Sequence, residues 1–204
     1  MPRRSRKSFH PRRRRRFVSR SVKRYVARKV NKNIETKSRI LSYDAVSIGD
    51  AMGTPISTAI SAVGQGLTQN DRVGNLIKAT GIYGKFVVTA GDTSNIVRVI
   101  FYIPKSATDT LSGVSVQSLI DLDLYTILSD KYYAIGTNGG PNQRAFTIRM
   151  NFHRGFRTGI PVTFTGAGST TYAKNPIRMY VVSNSGASPH PTWSGNLRFF
   201  YKDA

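Results

Sequence analysis

Apolar residues recur along this chain with two different periods. From Val18 the spacing is four: Val18, Val22, Val26, Val30 and Ile34, with Tyr25 beside them. On a helix that spacing makes a slowly drifting apolar stripe. Arg20, Lys23, Arg24, Arg28 and Lys29 fill the gaps as a cationic face. Three readings stand for the segment: a helix packed on its own domain, a helix that folds on nucleic acid or against symmetry mates, or no stable helix. Residues 1–18 show no apolar period at all and are expected to be disordered until bound.

After Ser38 the period drops to two. Ser42 to Ile48 reads as a short strand, closed by a turn at Gly53-Thr54-Pro55. Leu76 to Thr89 is a long β-rich run. In Asn95 to Ile103, Val97, Val99, Phe101 and Ile103 share one face; in the next alternating run Phe146, Ile148, Met150 and Phe152 do the same. These seven residues other than Ile103 are the expected inner faces of the domain. Tyr125 to Ile135, Pro161 to Thr165, Ile177 to Ser183 and Leu197 to Lys202 supply further strands. Turn clusters separate them at Gly136 to Pro141, Gly166 to Gly168 and Asn184 to Gly186. Val116, Leu119 and Ile120 would share a face of a helix over Val114 to Leu122. About eight strands with few helices predict an all-β sandwich or barrel, and no repeat of solenoid or propeller length is visible.

Charge divides the chain at the same place. Seventeen of the first 39 residues are Lys or Arg and Glu35 is the single acid there, so residues 1–39 carry about +16 of the total +21. Residues 40–204 hold only about +5, an ordinary balance for one folded domain with a sizeable core. A polycationic arm of this density needs a polyanion, and nucleic acid fits because Arg and Lys neutralise phosphates without a fixed fold or sequence readout. The residues assigned to that contact are Arg3, Arg4, Arg6, Lys7, Arg12, Arg13, Arg14, Arg15, Arg16, Arg20, Lys23, Arg24, Arg28 and Lys29. The clusters Arg3 to Lys7 and Arg12 to Arg16 also suit a nuclear import receptor, whose groove reads the same exposed cations.

Catalytic chemistry is hard to assemble from what remains. The chain has no Cys, which excludes disulfides, thiolate metal sites and cysteine nucleophiles. Its three histidines, His10, His153 and His190, have no metal-ligand spacing and no recognisable carboxylate and nucleophile partners. Asp121, Asp123 and Asp130 read as solvated loop carboxylates in preference to an oxygen-ligand Ca²⁺ site at a subunit contact. Gly64-Gln65-Gly66 lacks the third glycine of a dinucleotide loop. The stretch ending Gly84-Lys85 has Ala79 where a phosphate loop needs its first Gly, and Phe86 where it needs Ser or Thr. No catalytic residue, metal or cofactor is assigned, and the chain is not expected to be an enzyme. No apolar h-region follows the basic start, and Val97 to Ile103 is far too short to span a bilayer, so neither a secretory signal nor membrane insertion is expected.

One segment is more specific than composition. Gln65-Gly66-Leu67-Thr68-Gln69-Asn70-Asp71-Arg72-Val73-Gly74 resembles the G-x-x-x-N-D-R-x-G stretch of capsid proteins from small circular single-stranded DNA viruses that encode a replication initiator (circovirus-like), and related stretches occur in coat proteins of satellite necrosis-type RNA viruses. Gly66, Asn70, Asp71, Arg72 and Gly74 carry the match. The segment suits a tight entry to a long strand, with Asp71 and Arg72 fixing the turn through charge-assisted hydrogen bonds. The resemblance implies a single eight-stranded antiparallel jelly roll behind a basic arm, with the chain as a homo-oligomer in a closed T=1 icosahedral shell of about 60 copies. It further implies packaging of a single-stranded DNA genome, residence in the virion and, during assembly, in the host cell nucleus. The alternatives are a coat protein of a small RNA satellite-type virus and a cellular basic nucleic-acid-binding protein. Basic residues in the body are scattered along the sequence instead of forming one stripe with aromatics, which disfavours the cellular module.

Overall fold

The computed structural model describes residues 22, 35–68, 70–136, 142–152, 159–166 and 170–204. The disorder expected of 1–18 lies outside them, as do His10, His153 and, apart from exposed Val22, the helix expected over 18–34. The compact body is Glu35–Ala204.

Ten strands make up the described body: β1 (Thr36–Ser47), β2 (Ile56–Ala59), β3 (Leu76–Thr89), β4 (Ser94–Pro104), β5 (Tyr125–Gly136), β6 (Gln143–Asn151), β7 (Ile160–Phe164), β8 (Tyr172–Lys174), β9 (Arg178–Ser183) and β10 (Thr192–Asp203). All pairings are antiparallel. One sheet runs β1-β10-β3, after which β6 takes the C-terminal part of β3 and β7, with β8 outside it, takes the N-terminal part. The other runs β2-β9-β4-β5. With β7 and β8 set aside as a hairpin, the sheets are 1-10-3-6 and 2-9-4-5. The chain changes sheet at every connection between those eight strands except β4 to β5. First and last strands lie side by side. That strand order is a jelly roll, two interlocked Greek keys.

Alternation explains most of the core. Val97, Val99, Phe101, Ile148 and Phe152 are buried between the sheets, and Phe146 and Met150 pack against the same cluster from partly buried positions. Trp193 is fully buried at the centre, 4.3 Å from the Phe86 ring, with Phe146 at 5.4 Å and Tyr43 at 6.4 Å. Phe146 in turn stacks on Tyr133 at 4.0 Å. Two residues on from Trp193, β10 needs Gly195: its φ is +142°, and a Cβ there would lie 2.2 Å from the Lys85 carbonyl oxygen of β3.

Two expectations are corrected. The first strand starts at Thr36, six residues before Ser42, so Lys37 and Arg39 are strand residues. The segment 114–122 is not helical. Its backbone carbonyls turn instead to a side chain of β4: Arg98 Nη1 donates to Ser115 O at 3.0 Å and Ser118 O at 2.6 Å. The same connection covers the outer face of β4. Ile100, Tyr102, Tyr180 and Val182 are buried there under Leu111 and Val116. Tyr180 Oη donates to Val114 O at 3.1 Å, and the Leu111 amide donates to Tyr102 Oη at 3.0 Å. Strand β4 is therefore buried on both faces, whereas alternation alone suggested one.

Candidate functional site

The arm residues assigned to nucleic acid, Arg3 through Lys29, lie outside the described residues. Gly66, Asn70, Asp71, Arg72 and Gly74 are described, in the connection from β2 to β3. The segment folds back on itself: Arg72 N donates to Gly64 O at 2.9 Å and Gly66 N to Arg72 O at 3.1 Å. Asp71 Oδ2 accepts from Thr68 Oγ1 at 2.6 Å and Thr68 N at 3.2 Å. A side chain at Gly66 would meet that carboxylate, since its Cβ would stand 2.4 Å from Asp71 Oδ2. The glycine and the aspartate are thus one device.

Arg72 is fully buried. Its Nε donates to Val63 O at 3.2 Å, Nη2 to Gly166 O at 3.1 Å, and Nη1 to Asn75 Oδ1 at 3.2 Å and to Gly74 O. The guanidinium lies over the Phe164 ring of β7 at 4.0 Å. Burial pushes its pKa below the ordinary arginine value, partly opposed by the Asp203 carboxylate. The planar five-donor fork is what lets one residue gather acceptors from both sides of the turn.

Neighbouring strand ends close on the turn. Lys37 Nζ of β1 donates to Asp71 O at 2.7 Å and pairs with Asp203 of β10 at 2.8 Å. Asp203 Oδ1 accepts from Val73 N at 3.2 Å, and Tyr201 Oη donates to Asn70 O at 2.8 Å. The arrangement latches β1, β3, β7 and β10 together. Among the described residues of the turn, the Asp71 and Asp203 carboxylates are taken up by Thr68, the Val73 amide and Lys37.

Another polar cluster is at the opposite end of β3, where Ser185, Asp92 and His190 meet. Ser185 Oγ lies 3.1 Å from Asp92 Oδ2 and 3.3 Å from His190 Nδ1. Spacing along the chain gave no hint of this, because the β3–β4 turn supplies one member and the β9–β10 loop the others. The serine sits between the two, so the aspartate does not orient the histidine as a catalytic triad requires. Among the carboxylates considered for a cation, Asp130 holds Arg98 in a two-pronged pair, 3.0 Å to Nε and 2.7 Å to Nη2. Asp121 Oδ1 accepts from the Asp123 amide at 2.7 Å.

No protein-family model matches the chain, and no curated protein does. Solved structures that resemble it include a chain of Desmodium yellow mottle tymovirus, at 12% identity over 82% of this chain and 79% of that one, with a TM-score of 0.44. Another is from infectious bursal disease virus, Gx strain, at 15% identity over 81% of this chain, TM-score 0.34. A third is the infectious bursal disease virus VP2 subviral particle, at 12% identity and TM-score 0.33. This chain spans only 32% of the length of each of the latter two. At such scores the likenesses add nothing to the strand order, on which the jelly-roll assignment stands.

Proposed function

We propose that this chain is the coat subunit of a small icosahedral virus, about 60 copies forming a T=1 shell that packages a single-stranded DNA genome through the arm. The carrying observation is the joining of two physically different objects: fifteen Lys and Arg with no acid in residues 1–34, and a jelly-roll body from Glu35 onward. A body of this kind supplies walls, and the arm supplies counter-charge. About 60 arms at about +15 give roughly 900 positive charges, which sets a genome scale on the order of a thousand nucleotides. Exposed apolar side chains on the body support self-assembly. Leu119, Leu122 and Leu124 stand exposed within one connection, and Met52 and Leu67 are more than nine-tenths exposed. The arm clusters Arg3 to Lys7 and Arg12 to Arg16 serve as the nuclear import signal in this proposal, since a DNA genome copied in the nucleus must meet its coat protein there.

Electron microscopy of the full chain with single-stranded DNA is the direct test. Closed uniform particles are expected, and sequencing of nuclease-protected contents identifies the genome class. A stable monomer at high concentration and physiological salt, with nucleic acid supplied, overturns the proposal. Replacing Leu119 and Leu122 by Asp is expected to stop particle formation while leaving the Trp193 fluorescence of the folded body unchanged. Fusing residues 1–37 to a fluorescent protein too large for passive entry tests import; cytoplasmic retention favours an RNA satellite-type virus.

A further inference from the structure

The outward face of the β1-β10-β3-β6 sheet carries side chains that the fold does not use. Register places Ile40, Arg198, Tyr83 and Arg149 in one row across the four strands. The flanking rows set Phe200 opposite Gly81 and Asn196 opposite Lys85, and Lys78 lies further along β3. The residues between them, Ile82, Phe86, Leu197 and Phe199, are buried, so alternation sends this set away from the core. The result is a hollow of about 450 Å³ lined by Ile40, Tyr83, Lys85, Asn196, Arg198 and Phe200. A second hollow of about 250 Å³ adjoins it, sharing Tyr83 and Phe200 and reaching Arg149.

Three other cations of the body are committed: Lys37 to Asp203, Arg98 to Asp130 and Arg72 to its ring of acceptors. Among the described residues, Lys78, Lys85, Arg149 and Arg198 make no ion pair and no side-chain hydrogen bond, and Tyr83 and Phe200 stack on no other ring. The one carboxylate of the same parity on these four strands is Asp44, at the far end beside the bulge between Tyr43 and Val46. Uncommitted cations interleaved with unstacked aromatics are what a polyanion with free π-faces requires.

We propose that this face is a second nucleic-acid site, taking an unpaired stretch of a single strand whose bases stack on Tyr83 and Phe200 and whose phosphates lie against Arg149, Arg198 and Lys85. It deepens the coat-subunit proposal, resting on the sheet where that one rests on the arm. Cations alone would hold a duplex equally well. The aromatic row favours a single strand, because duplex bases have their faces occupied by one another. A second copy docked by the same patch would bring the same cations against each other, so charge complementarity selects the polyanion.

The experiment uses the full chain, with a thymidine oligonucleotide and a duplex of equal charge, over a salt series. Ultraviolet cross-linking of the oligonucleotide is expected to yield adducts on the tryptic peptides 79–85 and 199–202. Tyr83→Leu and Phe200→Leu are expected each to weaken oligonucleotide binding on the order of tenfold with duplex binding unchanged, and Tyr83→Phe to restore it. Arg149→Gln and Arg198→Gln are each expected to reduce the salt slope for the oligonucleotide by about 0.7. A parallel variant with Arg12 to Arg16 replaced by Ala is expected to weaken both ligands and keep the single-strand preference. If that variant binds normally while the sheet variants do not, the arm assignment fails and this one stands. Adducts confined to arm peptides, with the preference unmoved by Tyr83→Leu, overturn it. So do sheet variants that stop particle formation at unchanged oligonucleotide affinity, which makes the face a contact between copies.

Discussion

Removing the Arg72 guanidinium tests whether the β2–β3 turn is held by one residue. In Arg72→Ala four acceptors lose their donor: Val63 O, Gly74 O, Gly166 O and Asn75 Oδ1. A buried acceptor left unsatisfied costs about 1–3 kcal/mol. Water can reach the vacated, polar site from the rim, so not all four count in full. Loss of the contact with Phe164 adds about 1 kcal/mol. The expected destabilisation is about 3–5 kcal/mol, a large share of a typical domain's 5–15 kcal/mol. Arg72→Lys keeps the charge but gathers its donors on one nitrogen, and is expected to lose about 2 kcal/mol. Arg72→Met fills the volume and avoids burying charge while orphaning the same acceptors, so it separates packing from hydrogen bonding. Urea unfolding of the dissociated full chain, followed by the single tryptophan, Trp193, reads all three. Arg72→Met within about 1 kcal/mol of wild type would refute the reasoning, since the acceptors would then not need the guanidinium.

Gly195→Ala should cost at least about 3 kcal/mol, because it combines a strained φ with a Cβ driven into the Lys85 carbonyl; an unchanged urea midpoint would count against this. Asp130→Asn should cost about 3 kcal/mol by leaving the buried Arg98 guanidinium without its carboxylate, and limited proteolysis should then cut between residues 105 and 124 before elsewhere. Burial raises the pKa of Tyr43, Tyr102, Tyr133, Tyr172, Tyr180 and Tyr201 above the ordinary phenol value. The unfolded chain releases these protons near pH 10 and the folded chain only above it, so stability is full below about pH 10 and falls as pH rises beyond. Tyrosinate absorbance from these residues should therefore grow in step with loss of the near-ultraviolet circular dichroism signal; growth ahead of that loss would refute the assignment.

Where one physical rule acted alone, the fold was legible. Strand β3 runs from Leu76 to Thr89, as its β-rich composition indicates, and the alternating residues of β4 and β6 face the core. Misreadings occurred where a distant side chain competed with local pattern. Val116, Leu119 and Ile120 have helical spacing, but Arg98 takes the carbonyls that a helix would have used internally. The short strands β2 and β8 carry too few residues for any period and exist because β9 and β7 offer them an edge. At the motif, residue types pointed to a charge-closed turn. The partners of Arg72, from Val63 to Gly166, are fixed only by the tertiary fold.

The body's modest charge illustrates the same difference between chain and fold. Along the sequence, its cations look scattered and carry no stripe. Antiparallel pairing sorts many of them by alternation and register, and two groups stand out. Those facing inward or into loops, Lys37, Arg72 and Arg98, are matched to Asp203, to carbonyls and to Asp130. Those facing outward from β3, β6 and β10 converge on Tyr83 and Phe200, residues 117 apart in the chain but on neighbouring strands. A stripe that needs period two within each strand and the strand order 10-3-6 between them has no linear signature. A body of only about +5 can therefore carry one strongly cationic face, and the topology is what reveals it.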